Sequence, residues 1–251
     1  MRAAKLAAMM KAQIQPTPDG AIVFDAQAVA QAAFDPEWFN PEYWRARSGA
    51  QAPAGGRGGA VFIDAPFGQC ALRHYHRGGM AARLLGDRYL WIGAQRTRSF
   101  AEFRLLMELR EHGLPAPAPI AARYRRCGTH YRADLITRRI EQALTLAECL
   151  AARDADAAMA ARVGATIARF HTAGACHADL NAHNVLLRGT EVWLIDFDRG
   201  ELRTPARAWQ QANLARLQRS LYKLGAARDG EDAFMRNLWQ PLLAAYEGAL
   251  A

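Results

Sequence analysis

Residues 177–184 read His177-Ala178-Asp179-Leu180-Asn181-Ala182-His183-Asn184, and Asp196-Phe197-Asp198 follows after a short apolar run. These residue types at these intervals suit phosphoryl transfer. That chemistry needs one carboxylate to orient an attacking hydroxyl, an amide oxygen to hold a metal ion, and a second carboxylate to bridge that metal to nucleotide phosphates. Asp179, Asn184 and Asp196 fit those roles in that order. Between them, Val185-Leu186-Leu187 and Val192-Trp193-Leu194-Ile195 are β-prone runs separated by Arg188-Gly189-Thr190-Glu191, which predicts a hairpin with Gly in its turn. Such a hairpin sets Asn184, at the start of one strand, beside Asp196, at the end of the other.

The elements before this stretch must aim it. Val163, Ile167 and Phe170 keep helical spacing, and Thr172-Ala173-Gly174-Ala175 reads as a helix stop. Helix, Gly stop, His-x-Asp loop, hairpin and Asp-Phe, in that order, resemble the helical lobe of the protein-kinase-like fold. The resemblance implies an α+β, bilobal architecture with a small β-rich N-lobe and a mainly helical C-lobe. Its expected boundaries are an N-terminal extension over 1–50, an N-lobe over 51–140 and a C-lobe over 141–251.

Upstream, Gly55-Gly56-Arg57-Gly58-Gly59 opens a strand pair, Ala60-Val61-Phe62-Ile63 and Cys70-Ala71-Leu72-Arg73-His74-Tyr75, across a turn at Pro66-Phe67-Gly68. Glycines ahead of a strand let backbone N–H groups approach phosphate, so Gly56, Gly58 and Gly59 are candidate nucleotide contacts. Ala71-Leu72-Arg73 occupies the place where a kinase strand normally carries Ala-x-Lys. No lysine lies between positions 12 and 222, so Arg73 is the candidate cation for the nucleotide phosphates. Its acidic partner is expected on the amphipathic stretch 98–109, with Glu102 preferred and Glu108 the fallback. Tyr131 to Thr137 reads as a strand leading to a hinge near 138–141, and Thr145 with Glu148 forms a capping-box pattern.

The chain has 251 residues, about half of them apolar, and a formal charge of +8 that comes almost wholly from arginine, since lysine occurs only at Lys5, Lys11 and Lys223. Arginine suits bidentate binding of phosphate and carboxylate. Cys70, Cys127, Cys149 and Cys176 are widely spaced with no C-x-x-C pair, so reduced thiols are expected. No uncharged run reaches membrane-spanning length, which leaves a cytoplasmic protein with peripheral membrane contact open. Five aromatics between Phe34 and Trp44, followed by Arg45 and Arg47, have the composition of a membrane-interface segment, although core packing is the commoner fate of such clusters.

With these residues in place, the chain resembles the 3-deoxy-D-manno-octulosonic acid (Kdo) kinases of the lipopolysaccharide-kinase branch of the superfamily. The similar stretches are Leu72 to Gly79, Leu85-Gly86-Asp87-Arg88-Tyr89-Leu90-Trp91, Gly113-Leu114-Pro115-Ala116-Pro117, His177 to Asn184 and Ile195-Asp196-Phe197-Asp198-Arg199-Gly200. The resemblance implies ATP- and Mg²⁺-dependent phosphorylation of a Kdo hydroxyl, O-4 being expected, on Kdo-lipid IVA at the cytoplasmic face of the inner membrane. In this reading Asp179 is the base, Asn184 and Asp196 hold Mg²⁺, and Arg73 with Glu102 steadies the ATP phosphates. Arg77, Arg88 and Arg199 point to an anionic acceptor. Two departures from ordinary protein kinases stand out: Arg73 in place of the strand lysine, and Asp198 in place of the glycine of Asp-Phe-Gly.

Between Asp196 and a helix expected from about 205–209 there is one short loop and no Ala-Pro-Glu, so a peptide-docking activation segment has no room. A small-molecule kinase of the aminoglycoside type shares the same motifs, and a non-catalytic, membrane-associated scaffold would explain the missing lysine. A nucleic-acid partner is not expected, because no recognition module is present, and no protein partner is evident.

Overall fold

Short β-prone runs, punctuated by tight turns, build the first part of the molecule. The computed structural model describes residues 12–30, 33–48, 60–76 and 86–250. The chain divides into two compact units: Met1–Glu111 with Pro117–Glu141, and His112–Ala116 with Gln142–Ala251.

Among the described residues the first unit holds a seven-stranded sheet. Its strands are β1 (Ala12–Thr17), β2 (Gly20–Asp25), β3 (Ala60–Ala65), β4 (Gly68–His74), β5 (Tyr89–Leu90), β6 (Pro119–Cys127) and β7 (His130–Arg138). Their order is β1-β2-β6-β7-β4-β3, and β5 adds to β7 beyond the end of β4, with Tyr89 opposite Tyr131 while His74 stands opposite Asp134. All pairings are antiparallel, so hairpins suffice for three of them.

One sheet face is covered by the segment that the sequence marks as an aromatic extension. Phe34, Trp38, Phe39 and Trp44 are buried with Ile22, Phe24, Ile63, Leu72 and Ile136 in one core cluster. The Trp44 indole N–H donates to the Trp38 carbonyl at 2.8 Å, and helix α1 (Pro41–Ser48) carries Trp44 inward. The membrane-interface reading of these aromatics is therefore corrected: burying large rings against a sheet face removes them from contact with lipid. Nor does the segment stand apart, because β2 pairs with β6 through Gly20↔Arg125 to Phe24↔Ala121. Helix α2 (Arg98–Glu111) packs on β6 and β7, burying Phe100, Phe103, Leu106 and Leu109.

The second unit is mainly helical. Helix α3 (Leu146–Ala151) starts from the predicted capping box: Glu148 N–H donates to Thr145 Oγ1 at 3.0 Å, and Thr145 N–H donates to Glu148 Oε2 at 2.7 Å. Helix α4 (Ala157–Thr172) buries Val163, Ile167 and Phe170. It packs so closely on the C-terminal helix Gln240–Leu250 that a Cβ on Gly164 would lie 2.0 Å from the Leu242 carbonyl oxygen. Gly174 ends α4 at φ +80° and bonds Arg203 N–H through its carbonyl at 2.8 Å, a conformation and an approach that a side chain would prevent. The chain forms β8 (Leu144–Thr145) ahead of α3 and, beyond Gly174, β9 (Ala175–Cys176), β10 (Val185–Arg188), β11 (Glu191–Leu194) and β12 (Glu201–Leu202), with β8-β10-β11 and β9-β12 as two small sheets. Helix α5 (Arg207–Lys223) follows a short loop, as its spacing predicts.

Candidate active site

The loop 177–184 is built around one imidazole. His177 is 2% exposed. Its Nε2–H donates to the Ile195 carbonyl at 2.9 Å, and its Nδ1 accepts the Asp179 backbone N–H at 3.1 Å. The two bonds require the neutral ring protonated on Nε2, and burial holds its pKa below the ordinary value, against the pull of the Ile195 bond and the nearby carboxylates. Helix α5 fixes the same residue from behind: Asn213 Oδ1 accepts the His177 backbone N–H at 3.1 Å.

The hairpin does what its sequence predicts. Val185 stands opposite Leu194, and Ile195 N–H donates to the Asn184 carbonyl at 3.0 Å. Ile195 is thus held at both its amide and its carbonyl by the loop, and Asp196 is the next residue. Asp196 itself sits at φ +61°, a left-handed backbone that a non-glycine residue adopts at some cost. The Asn184 side-chain Nδ2 donates to the Asp179 carbonyl at 2.9 Å, which leaves its amide oxygen as the outward acceptor. Phe197 is buried and stacks on Phe170 of α4 at 5.6 Å, so the Asp196 turn is anchored by the helix core.

Asp179 is the exposed member, with 55% of its side chain accessible. Asn181 Nδ2 donates to its Oδ2 at 3.1 Å, and Arg216 Nη1 to its Oδ1 at 2.7 Å. A carboxylate on a rigid loop, an amide oxygen and a second carboxylate are brought together in one unit. Carboxylate and amide oxygens are hard donors, and Mg²⁺ is characteristically held by one or two such side chains together with substrate phosphates, so Asn184 and Asp196 fit it.

In the first unit Arg73 of β4 forms an ion pair with Glu102 of α2. The Tyr75 hydroxyl donates to the same Glu102 carboxylate oxygen at 2.6 Å, and the Arg73 guanidinium lies over the Tyr75 ring at 4.6 Å from its centroid. Glu102 is 2% exposed and Arg73 20% exposed. Glu108 faces solvent instead. His74, between Arg73 and Tyr75, points to the other sheet face, as strand alternation demands. Its ring nitrogens meet Asp134 at 2.7 Å and Asp87 at 3.0 Å. Arg123 and Arg132 complete the network at 2.9 Å and 2.7 Å from Asp134 and Asp87 respectively. The Asp134 bond, opposed by burial, is the largest reason that the His74 pKa rises above its ordinary 6.5. Burial acts to raise the Asp134 pKa, but the His74 bond and the Arg123 charge outweigh it and leave that carboxyl below its usual range.

Of the remaining candidates, Gly56, Gly58, Gly59 and Arg77 lie outside the described residues. Arg88 is exposed in the first unit and Arg199 is exposed in the second, at φ +59°. Sequence reasoning missed Tyr75, Asn213 and the contact between Arg216 and Asp179. Tyr75 carries a legible signal, two residues beyond Arg73 on a strand and hence on the same face. Asn213 and Arg216 are local only to each other, and no pattern in the chain ties them to residues 177 and 179.

A His-anchored Asp loop, an Asn, a hairpin and a second Asp at its end, in a chain with a β-sheet unit and a helical unit, define a phosphotransferase of the protein-kinase-like fold. Comparison with known proteins narrows the class. The chain belongs to the lipopolysaccharide kinase (Kdo/WaaP) family, whose model matches residues 41–246. It is 55% identical over 214 residues to a 3-deoxy-D-manno-octulosonic acid kinase of Xanthomonas axonopodis pv. citri, covering 85% of this chain and 84% of that protein. It is 54% identical to the protein of that name from Xanthomonas oryzae pv. oryzae and 53% identical to the one from Stenotrophomonas maltophilia, with the same coverage. Among solved structures, one titled "WaaP in complex with acyl carrier protein" matches with a TM-score of 0.49 at 16% identity, covering 79% of this chain and 78% of that one. Membership of the family makes the chain an ATP-using phosphotransferase.

Proposed function

We propose that this chain transfers the γ-phosphoryl group of ATP to a hydroxyl of Kdo, O-4 on Kdo-lipid IVA, in lipopolysaccharide inner-core assembly. The observation that carries the acceptor is identity of more than half over 85% of the chain with proteins named for Kdo phosphorylation. The site supports the reaction residue by residue. Asp179 accepts or orients the proton of the attacking hydroxyl, since its carboxylate is exposed on a loop whose backbone is tied down. Asn184 and Asp196 would hold Mg²⁺, which neutralises charge on the phosphates when bound. Arg73, kept in place by buried Glu102, presents a permanent cation to the ATP phosphates. Gly56, Gly58 and Gly59 are assigned to phosphate contact by residue type, and Arg77, Arg88 and Arg199 to the anionic groups of the acceptor.

No helix among the described residues is long and apolar enough to cross a membrane. An acceptor embedded in a bilayer nonetheless demands surface contact. We assign the chain to the cytoplasmic face of the inner membrane as a peripheral protein, with its +8 charge favouring an anionic surface. Mass analysis of lipid A-core from cells with and without the gene tests the proposal. A single phosphate on Kdo, present only with the gene, is expected; its appearance on another sugar, or no difference at all, overturns the acceptor assignment.

A further inference from the structure

Arg216 is held against Asp179 by construction. On α5, Asn213 accepts the His177 backbone N–H and Ser220 Oγ accepts the Ala182 backbone N–H, both at 3.1 Å. Arg216 lies between them, three residues after one and four before the other, so it shares their helix face and is aimed at the same loop. Its Nη1 reaches Asp179 Oδ1 at 2.7 Å. The pair is about half exposed, 49% for Arg216 and 55% for Asp179.

Stability does not explain this pair, because exposed ion pairs contribute between nothing and about 1 kcal/mol. Catalysis in the free protein does not explain it either, since Asn181 and Arg216 already bond both of the carboxylate oxygens that would meet an acceptor hydroxyl. The arrangement makes sense if a second anion shares the guanidinium during turnover. Arginine presents donors along two edges of a planar fork, and among the described residues Asp179 is the one hydrogen-bonded partner of Arg216. The Nε and Nη2 donors therefore remain for a ligand, at a fixed offset from the base. Arg219 and Lys223, exposed on the next turns of α5, extend the cationic surface away from Asp179.

We infer that Arg216 reads the carboxylate of a sugar-acid acceptor and thereby sets the acceptor's hydroxyl against Asp179. This assignment rests on the proposed function above, in which the acceptor is an octulosonic acid. A bound carboxylate takes the free donors and so sits at a fixed offset from Asp179, which couples recognition of the acid group to placement of the hydroxyl against the base. A neutral sugar satisfies neither requirement, so the same residue acts in specificity and in positioning.

The test uses the full chain, Kdo-lipid acceptor and the carboxyl methyl ester of that acceptor, with transfer of labelled phosphate measured at varied acceptor and varied ATP. Wild-type protein is expected to prefer the free acid by roughly 10- to 100-fold in kcat/KM, the range of one charge-assisted contact. Arg216→Gln should lose about that factor on the acid, lose nothing further on the ester, and keep its KM for ATP. Arg216→Lys should fall between, with charge but no fork. Equal loss on acid and ester would overturn the inference and restrict Arg216 to Asp179 or to the transferred phosphoryl group. So would a wild-type enzyme that treats acid and ester alike. Wild-type protein that transfers to neither Kdo compound but to another acceptor removes the Kdo reading itself, a result visible before any variant is made. Circular dichroism of both variants checks folding, which substitution of a half-exposed side chain should leave intact.

Discussion

His177→Phe separates two contributions that the active-site loop combines. The phenyl ring can keep the packing of His177 on Phe197, whose centroid lies 4.7 Å away, but it loses both hydrogen bonds of the imidazole. One holds the backbone of Asp179 and the other the carbonyl of Ile195, next to Asp196. Each bond contributes about 1 kcal/mol net. Because Asp179 is exposed and Ile195 is half-buried, water can solvate part of what is left unpaired, so a loss near 2 kcal/mol is expected rather than the full desolvation cost. In thermal unfolding that corresponds to a fall in Tm of roughly 4–8 °C for a chain of this size. The catalytic effect should be larger in proportion. Asp179, the proposed base, and Asp196, the proposed metal ligand, share His177 as their common reference, and a misplacement of about 1 Å costs on the order of 10²-fold in rate. Steady-state kinetics should therefore show kcat down about 100-fold at saturating ATP and acceptor, with a modest change in KM for ATP. A kcat within roughly threefold of wild type, alongside the expected Tm shift, would refute the claim that this ring positions the two carboxylates.

Asp179→Ala and Asp196→Ala should each lower kcat by about 10²- to 10⁴-fold with folding preserved, and added Mg²⁺ should not rescue Asp196→Ala; easy rescue would mean that another residue is the main metal ligand. Arg73→Lys should lower kcat/KM for ATP because a point charge cannot reproduce the fork, and Arg73→Ala should lower it further while also destabilising the first unit, where Glu102 would stay buried without its guanidinium; wild-type kinetics for Arg73→Ala would transfer the phosphate contact to Arg77. His74 gives a pH prediction. Its pKa is raised on folding, so the stabilisation is complete below pH 6.5 and disappears as pH rises through the raised value. The difference in urea-unfolding free energy between wild type and His74→Gln should be flat below that pH and shrink above it. His171, held down to about 4, and His177 act in the opposite sense, losing stability as pH falls below 6.5, which is why the difference rather than the raw profile is the measurement. A difference that grows with rising pH would contradict the double carboxylate contact of His74.

The local geometry of the proposed catalytic string was readable because its parts are close in sequence. Residues 177–184, the hairpin and Asp196 lie within one helix stop and two short strands, so local turn chemistry and strand propensity are enough to bring Asn184 beside Asp196. The same holds for the capping box at Thr145 and the glycine stop at Gly174, whose geometry depends on three or four neighbouring residues. What the tertiary structure alone decided involves partners far apart in the chain. Glu102 and Glu108 are equivalent candidates by composition; they lie about 120° apart around the helix axis, so the packing of α2 on the sheet chooses Glu102 and leaves Glu108 in solvent. The aromatics from Phe34 to Trp44 have the composition of either a membrane edge or a core, and only the sheet face formed by β2, β4 and β7 makes them core. Arg216 is one basic residue among several on a helix until α5 docks through Asn213 and Ser220 and brings it to Asp179. Local propensity acts over a turn or a hairpin, whereas the choice of face, sheet edge and ion-pair partner is made by burial between distant segments.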